Sequence, residues 1–146
     1  MNQSELVLIE NIKALENQFY WLERSYLICK EFEIKEKYQP EEMDALETLC
    51  SRFSRSIDYL IRKVFRSIDD VEFENQGTLI DVINHAEKRG LIESVEQMRE
   101  IKEIRNEIVH EYIQTGLQSL FSDVLEKTPV ILKQMTQTIE YCKQYK

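Results

Sequence analysis

Residues 4–32 read SELVLIENIKALENQFYWLERSYLICKEF, and within them Leu8, Ile12, Leu15, Phe19, Leu22, Tyr26 and Cys29 follow one another at steps of three and four. That rhythm fits the period of about 3.6 residues per helical turn, so the spacing predicts one long helix from about Ser4 to Phe32 with an apolar side. Trp21, Leu27, Ile28 and Phe32 widen that side. The helix is therefore expected to bury more than one face, inside the chain or across a dimer.

Working outward, residues 31–39 break the rhythm and Pro40-Glu41-Glu42 has the make-up of a first helical turn: a preset φ, then acids near the positive end of the helix dipole. Met43, Leu46, Cys50, Phe53, Ile57, Leu60, Val64 and Ile68 then predict a second helix from about Glu41 to Ile68, antiparallel to the first because the connection is short. Residues 69–77 read as a loop. Thr78 with Asp81 forms a capping-box signature for a short third helix, Leu79 to Arg89, which Gly90 ends. Ser94 with Gln97 opens a fourth, from about Val95 toward Gly116. From Leu117 to Cys142 a last stripe runs through Pro129 without losing phase, which predicts a kink or short break with Thr128 capping the second piece. The chain shows neither a strand pattern nor an internal repeat. It therefore reads as a single all-α domain over residues 1–146, an antiparallel helical bundle of four long helices and one short one.

Composition narrows the function. A length of 146 residues can bury a core without metals or disulfides. The net charge of −8 argues against a nonspecific nucleic-acid binder that works by counterion release, so any RNA role must rest on a local basic patch. Such a patch is offered by Arg55, Tyr59, Arg62 and Arg66, spaced by four, three and four on a flank of the second helix. They are either ordinary solvated arginines or contacts for an RNA backbone, and the second option places them beside the chemical site. Cys29, Cys50 and Cys142 lie within apolar stripes and read as buried reduced thiols rather than a disulfide or a metal site. No apolar run approaches a membrane span and no signal peptide opens the chain, so a cytoplasmic location is expected.

The chemistry concentrates in IRNEIVHEY, residues 104–112, around one of only two histidines. The other, His85, has no partner at a recognisable spacing and reads as a surface or packing residue. On a regular helix Met98, Ile101, Arg105, Val109 and Tyr112 fall near one line, which puts Arg105 in an apolar face. There it must meet a carboxylate, a carbonyl, a ligand or a cavity. It is either a bridge between helices or subunits, or part of a site. Arg105 and His110 stand about 140° and about 7.5 Å apart on one helix. They meet only if the arginine reaches across, if the helix unwinds, or if two copies pair them across a two-fold axis. A symmetric dimer with the motif along its seam satisfies every constraint and is predicted. Arg, His, Tyr and Asn without clustered Cys or Asp point to phosphodiester chemistry with neither metal nor cofactor. Imidazole moves the proton of a ribose 2′-hydroxyl or protonates the leaving oxygen, guanidinium holds the phosphorane oxygens, and DNA is inert.

The pattern Arg105-Asn106-(three residues)-His110-Glu111-Tyr112, with residues 77–84 and 100–112 and the helix content, resembles the HEPN superfamily over nearly the whole chain. More closely it is similar to the HepT toxins of HepT/MntA toxin–antitoxin pairs. The resemblance implies a HEPN-like homodimeric, metal-independent endoribonuclease in which Arg105 and His110 are catalytic and Asn106 and Tyr112 support them. It further implies that an MntA-like nucleotidyltransferase antitoxin silences the toxin by AMPylation of Tyr112. The chain lacks the Gly-Ser and paired aspartates of such a transferase, so that activity belongs to a partner. Two alternatives remain at the level of sequence. One is a non-catalytic subunit that binds nucleotide or presents substrate to a nucleotidyltransferase; the other is a helical dimerisation adaptor.

Overall fold

A computed structural model describes residues 1–74, 77–110 and 117–145, and the regular elements among them are all helical. Helix α1 spans Gln3–Cys29, α2 Pro40–Tyr59, α3 Arg66–Val71, α4 Leu79–Lys88, α5 Val95–His110 and α6 Leu117–Cys142, with a short 3-10 turn at Lys143–Tyr145. A π-helical segment, Leu60–Phe65, joins α2 to α3 without leaving the right-handed helical region, so residues 40–71 form one continuous rod. With that rod counted once, the described chain has five helical units, of which α4 is the short one.

Local chemistry sets the starts. Asn2 Oδ1 accepts from the Glu5 amide at 2.9 Å, and the Gln39 and Thr78 amides donate to Glu42 and Asp81 at 2.9 and 2.8 Å. Ser94 Oγ accepts from the Gln97 amide at 3.0 Å, but the Gln97 side chain turns to Glu93, so this box is only half formed. Gly90, at φ 77°, closes α4 in the left-handed conformation that glycine adopts without strain.

The rod and α1 run antiparallel: Asn11 near the start of α1 bonds Tyr59 and Ser67, whereas Trp21 and Ser25 farther along take Arg52. Leu8, Leu15 and Leu22 of α1 meet Phe53, Leu60, Val64 and Phe65 of the rod in one core, to which Ile83, Met98, Ile101, Phe121 and Ile131 add the later helices. The π segment has a physical reason. Leu60, Ile61, Val64 and Phe65 are all buried. A π turn, bonded i to i+5, is wide enough to point both of these adjacent pairs inward and keep Ile68 in line.

Four expectations need correction. The second helix runs past Ile68 to Val71, so Asp69 and Asp70 are helical rather than part of a loop. The first stops at Cys29, not Phe32. Helix α6 passes through Pro129 unbroken, and buried Thr128 caps nothing; its hydroxyl donates back to the Val124 carbonyl at 2.6 Å. The fourth concerns only the inside of the chain: Trp21, Leu27 and Ile28 are 41–49% exposed, so the wider face of α1 is not buried within the single chain.

The rod ends in a turn of unusual make-up. Phe73 sits at φ 61° with 86% of its surface exposed, while the Glu74 amide bonds the Asp69 carbonyl at 2.8 Å. This is the helix-ending position that glycine normally fills, and a residue bearing Cβ costs about 1–2 kcal/mol there. Phe73→Gly should raise stability by about 1 kcal/mol, since glycine's extra freedom when unfolded offsets part of the relief. Thermal denaturation should show a Tm higher by about 3 °C, and an unchanged or lower Tm would refute the strain.

Candidate functional site

Arg105 lies at the edge of the buried face of α5, which consists of Met98, Ile101, Ile104 and Ile108; Val109 is 54% exposed. The expected line through Arg105 and Val109 is thus turned toward solvent, because Ile104 and Ile108 centre the face instead. Arg105 meets a carboxylate: Nε and Nη2 donate to the two oxygens of Asp58 on α2 at 2.9 and 2.7 Å, and Nη1 donates to Asn106 Oδ1 at 3.3 Å. These hydrogen bonds to Asp58 hold the guanidinium above its ordinary pKa despite partial desolvation. A guanidinium has five N–H donors. Three are used, so one on each Nη remains on the end of the fork. Around it a cleft of ≈ 40 Å³ is lined by Arg62, Lys102 and Asn106.

His110 is exposed at the last described residue of α5, a regular α-helix from Val95 onward. Of the three routes that could bring Arg105 to His110, two close within one chain. The arginine is tied to Asp58 of α2 and to Asn106 beside it, and α5 stays helical between the two residues, so Arg105 and His110 are not brought together within the described part of one chain. Tyr112 lies outside the described residues.

The arginine flank divides. Arg62 lines the Arg105 cleft, whereas Arg55 lines a groove on the α1 side with Asn17, Gln18, Trp21, Arg52 and Ser56. Between them Tyr59 donates to Asn11 of α1 at 3.0 Å, and Arg66 is half-buried. Arg52, which the stripe pattern did not single out, sits 5.0 Å over the Trp21 ring and bonds the Trp21 carbonyl and Ser25 Oγ. The three cysteines are free and buried, and burial pushes the thiols up, to about 11 for Cys29 and about 12 for Cys50 and Cys142.

A second polar cluster escaped the sequence reading. His85 is not partnerless: Nδ1 lies 2.9 Å from buried Asp69, and Nε2 lies 3.2 Å from Glu74. Arg89, one turn along α4, donates to Asp69 at 2.6 Å and Glu72 at 2.9 Å. Glu72 also accepts from Tyr141 at 2.7 Å and from Tyr145. The signal was His85 and Arg89 at i, i+4 facing an acidic run, hidden because Asp69–Glu72 reads as loop. Burial works to raise Glu72, but the phenol hydroxyls and Arg89 outweigh it and hold the carboxyl below its ordinary 4.5. The cluster clamps the end of the rod to α4 and the C-terminal turn.

No family model matches this chain, and neither a curated protein nor a solved structure matches it.

Because Asp69 is 2% exposed and bonds both His85 and Arg89, Asp69→Ala leaves Arg89 with Glu72 alone and should cost about 2–3 kcal/mol in urea unfolding. A loss under about 1 kcal/mol would mean that the cluster is solvated. Glu72 has a depressed folded pKa, so its contribution is present above its ordinary 4.5 and is lost as pH falls below it. The urea midpoint should therefore decline more steeply below that pH in the native protein than in Glu72→Gln. Parallel acid limbs would remove Glu72 from the account.

Proposed function

We propose that the chain is a metal-independent endoribonuclease toxin of HEPN type, an antiparallel bundle working as a homodimer in the cytoplasm. The observation that supports it best is the disposition of Arg105. Asp58 holds one edge of the guanidinium and leaves the end of the fork open beside Arg62 and Lys102, where a phosphate oxygen can be received by paired donors. In two copies related by a two-fold axis, Arg105 of one faces His110 of the other. One imidazole takes the proton of a ribose 2′-hydroxyl as that oxygen bonds to phosphorus. Arg105 stabilises the charge on the phosphorane, the P–O5′ bond breaks, and the leaving oxygen takes a proton from the second imidazole or from water. A 2′,3′-cyclic phosphate and a 5′-hydroxyl result.

An MntA-like nucleotidyltransferase would silence this chemistry by placing AMP on Tyr112, two residues from His110, because the added phosphate brings bulk and negative charge to the seat of the RNA phosphate. The net charge of −8 favours a second reading, a non-catalytic subunit that binds nucleotide or presents substrate to the transferase.

Purified protein should cut RNA with EDTA present and leave DNA intact, and Arg105→Ala and His110→Ala should each slow cleavage by at least about 100-fold. Equal rates in all three proteins would eliminate the proposal. With a nucleotidyltransferase partner and ATP, mass spectrometry should place one adenylate on Tyr112 and none on Tyr112→Phe; an adduct elsewhere removes the regulatory part.

A further inference from the structure

The groove between α1 and α2 is not used by the chemistry above. It has a volume of ≈ 430 Å³ and is lined by Asn17, Gln18, Trp21, Arg52, Arg55 and Ser56. Three features of its lining point the same way.

The first is an aromatic surface. Trp21 is 41% exposed, Arg52 lies over its ring at 5.0 Å, and Tyr20 meets it edge-on at 4.9 Å. An indole held in this way and open to solvent can extend the stack by one more planar ring, and stacking of a base on an aromatic side chain tolerates any base.

Donors without partners are the second. Among the described residues Arg52 spends Nη1 alone, on the Trp21 carbonyl and Ser25 Oγ at 3.2 and 2.8 Å, so Nε and Nη2 have no partner there on a guanidinium that is already fixed. Arg55 is exposed and makes no hydrogen bond or ion pair among the described residues. The adjoining groove adds Arg24 against a single acid, Asp44, so the positive balance here is local in a chain of net charge −8. The third is an acceptor: Gln18 Oε1 is buried with no partner. An orphaned buried carbonyl oxygen is costly and is explained by a donor that arrives with a ligand.

An aromatic platform, free guanidinium donors and one waiting acceptor match a nucleotide: a base to stack, a phosphate to receive two arginines, and a sugar hydroxyl or base amine to donate. The volume lies within the range of about 300–1,000 Å³ for small-ligand sites. Arg55 and Arg62 are seven residues apart on the same rod, roughly two turns, so the groove and the Arg105 cleft draw on neighbouring stretches of one helix while facing different sides.

We infer that the α1–α2 groove binds a nucleotide unit of single-stranded RNA, its base stacked against Trp21 and its phosphate held by Arg52 and Arg55. The inference rests on the RNA reading of the Arg105–His110 site for its choice of ligand, but not on cleavage.

Trp21 is the only tryptophan in the chain, so its emission reports on this groove alone. His110→Ala protein, chosen to keep RNA intact, is titrated with a ten-nucleotide RNA, with AMP and with inorganic phosphate, and the RNA titration is repeated at several salt concentrations. The expected result is saturable quenching by the RNA, weaker quenching by AMP and none by phosphate. Arg55→Ala, an exposed change that leaves the helix pair intact, should weaken RNA binding and flatten the log–log salt dependence by about 0.7.

Quenching that Arg55→Ala does not alter overturns the inference, as does an unchanged emission. Tighter binding of AMP than of RNA overturns the choice of an RNA strand. RNA cleavage by the unmodified protein with a silent Trp21 sinks the groove and leaves the ribonuclease standing. Quenching that Arg55→Ala weakens, without cleavage of any RNA, does the reverse.

Discussion

The rod at residues 40–71, whose buried positions face several helices at once, is the constraint on which the rest depends. Its apolar positions, from Leu46 through Phe53, Ile57, Leu60 and Phe65 to Ile68, supply surface to α1, α4, α5 and α6 alike. Where the rod faces its neighbours, a polar side chain near the core is favoured when a neighbouring helix supplies a partner. Asp58 takes Arg105 from α5, Tyr59 takes Asn11 from α1, Arg52 takes Ser25 from α1, and Asp69 takes His85 and Arg89 from α4. The rod sets the positions of these groups, and the neighbouring helices are oriented by the pairs as well as by packing.

The fold was legible because its signals are local. Steps of three and four along α1, α2 and α6 need only a window of the chain, and the capping box at Thr78 and the first helical turn at Pro40 each lie within four residues. What failed was whatever depended on a distant contact. Asp69 and Asp70 look like loop residues in isolation, yet both are helical, and the buried Asp69 is matched by His85 and Arg89, sixteen and twenty residues later. The π segment is invisible to a template of fixed period, since it arises from burying Ile61 and Phe65 beside Leu60 and Val64. Thr128 resembles a cap before Pro129, but buried in an intact helix its hydroxyl has only the carbonyl of Val124 to bond.

The candidate site divides in the same way. Arg105 was legible as a guanidinium that required a carboxylate, a carbonyl, a ligand or a cavity, because a charge in an apolar face demands a partner whatever the fold. Which carboxylate was not legible: Asp58 is forty-seven residues away and lies among Arg55, Tyr59 and Arg62, which drew attention to their own flank. The flank itself proved to be two surfaces. Residues separated by seven share a helical side in projection, yet neighbouring helices decide where each can point, and α1 claims the Arg55 end while α5 claims Arg62.

Arg89 and Arg105 show how one side chain serves opposite ends. Arg89 is 8% exposed and set between Asp69 and Glu72, with Glu74 beyond His85, so carboxylates outnumber its charge and it functions as a clamp. Arg105 has one carboxylate, Asp58, and two further cations, Arg62 and Lys102, in the lining of its cleft. Three positive groups against one negative leave a surplus of two at a partly exposed surface, which favours an anion there. The acidic net charge therefore does not describe the surface evenly. Carboxylates accumulate where the rod is clamped to α4, while the uncompensated arginines collect at the Arg105 cleft and the α1–α2 groove. Repulsion from the rest of the chain weakens any anion held only by long-range attraction, and at about 10 Å of screening in ordinary salt that repulsion fades faster than a direct guanidinium contact. A phosphate that reaches either surface is thus held by near neighbours rather than by the field, and binding of that kind selects for shape and stacking more than for charge alone.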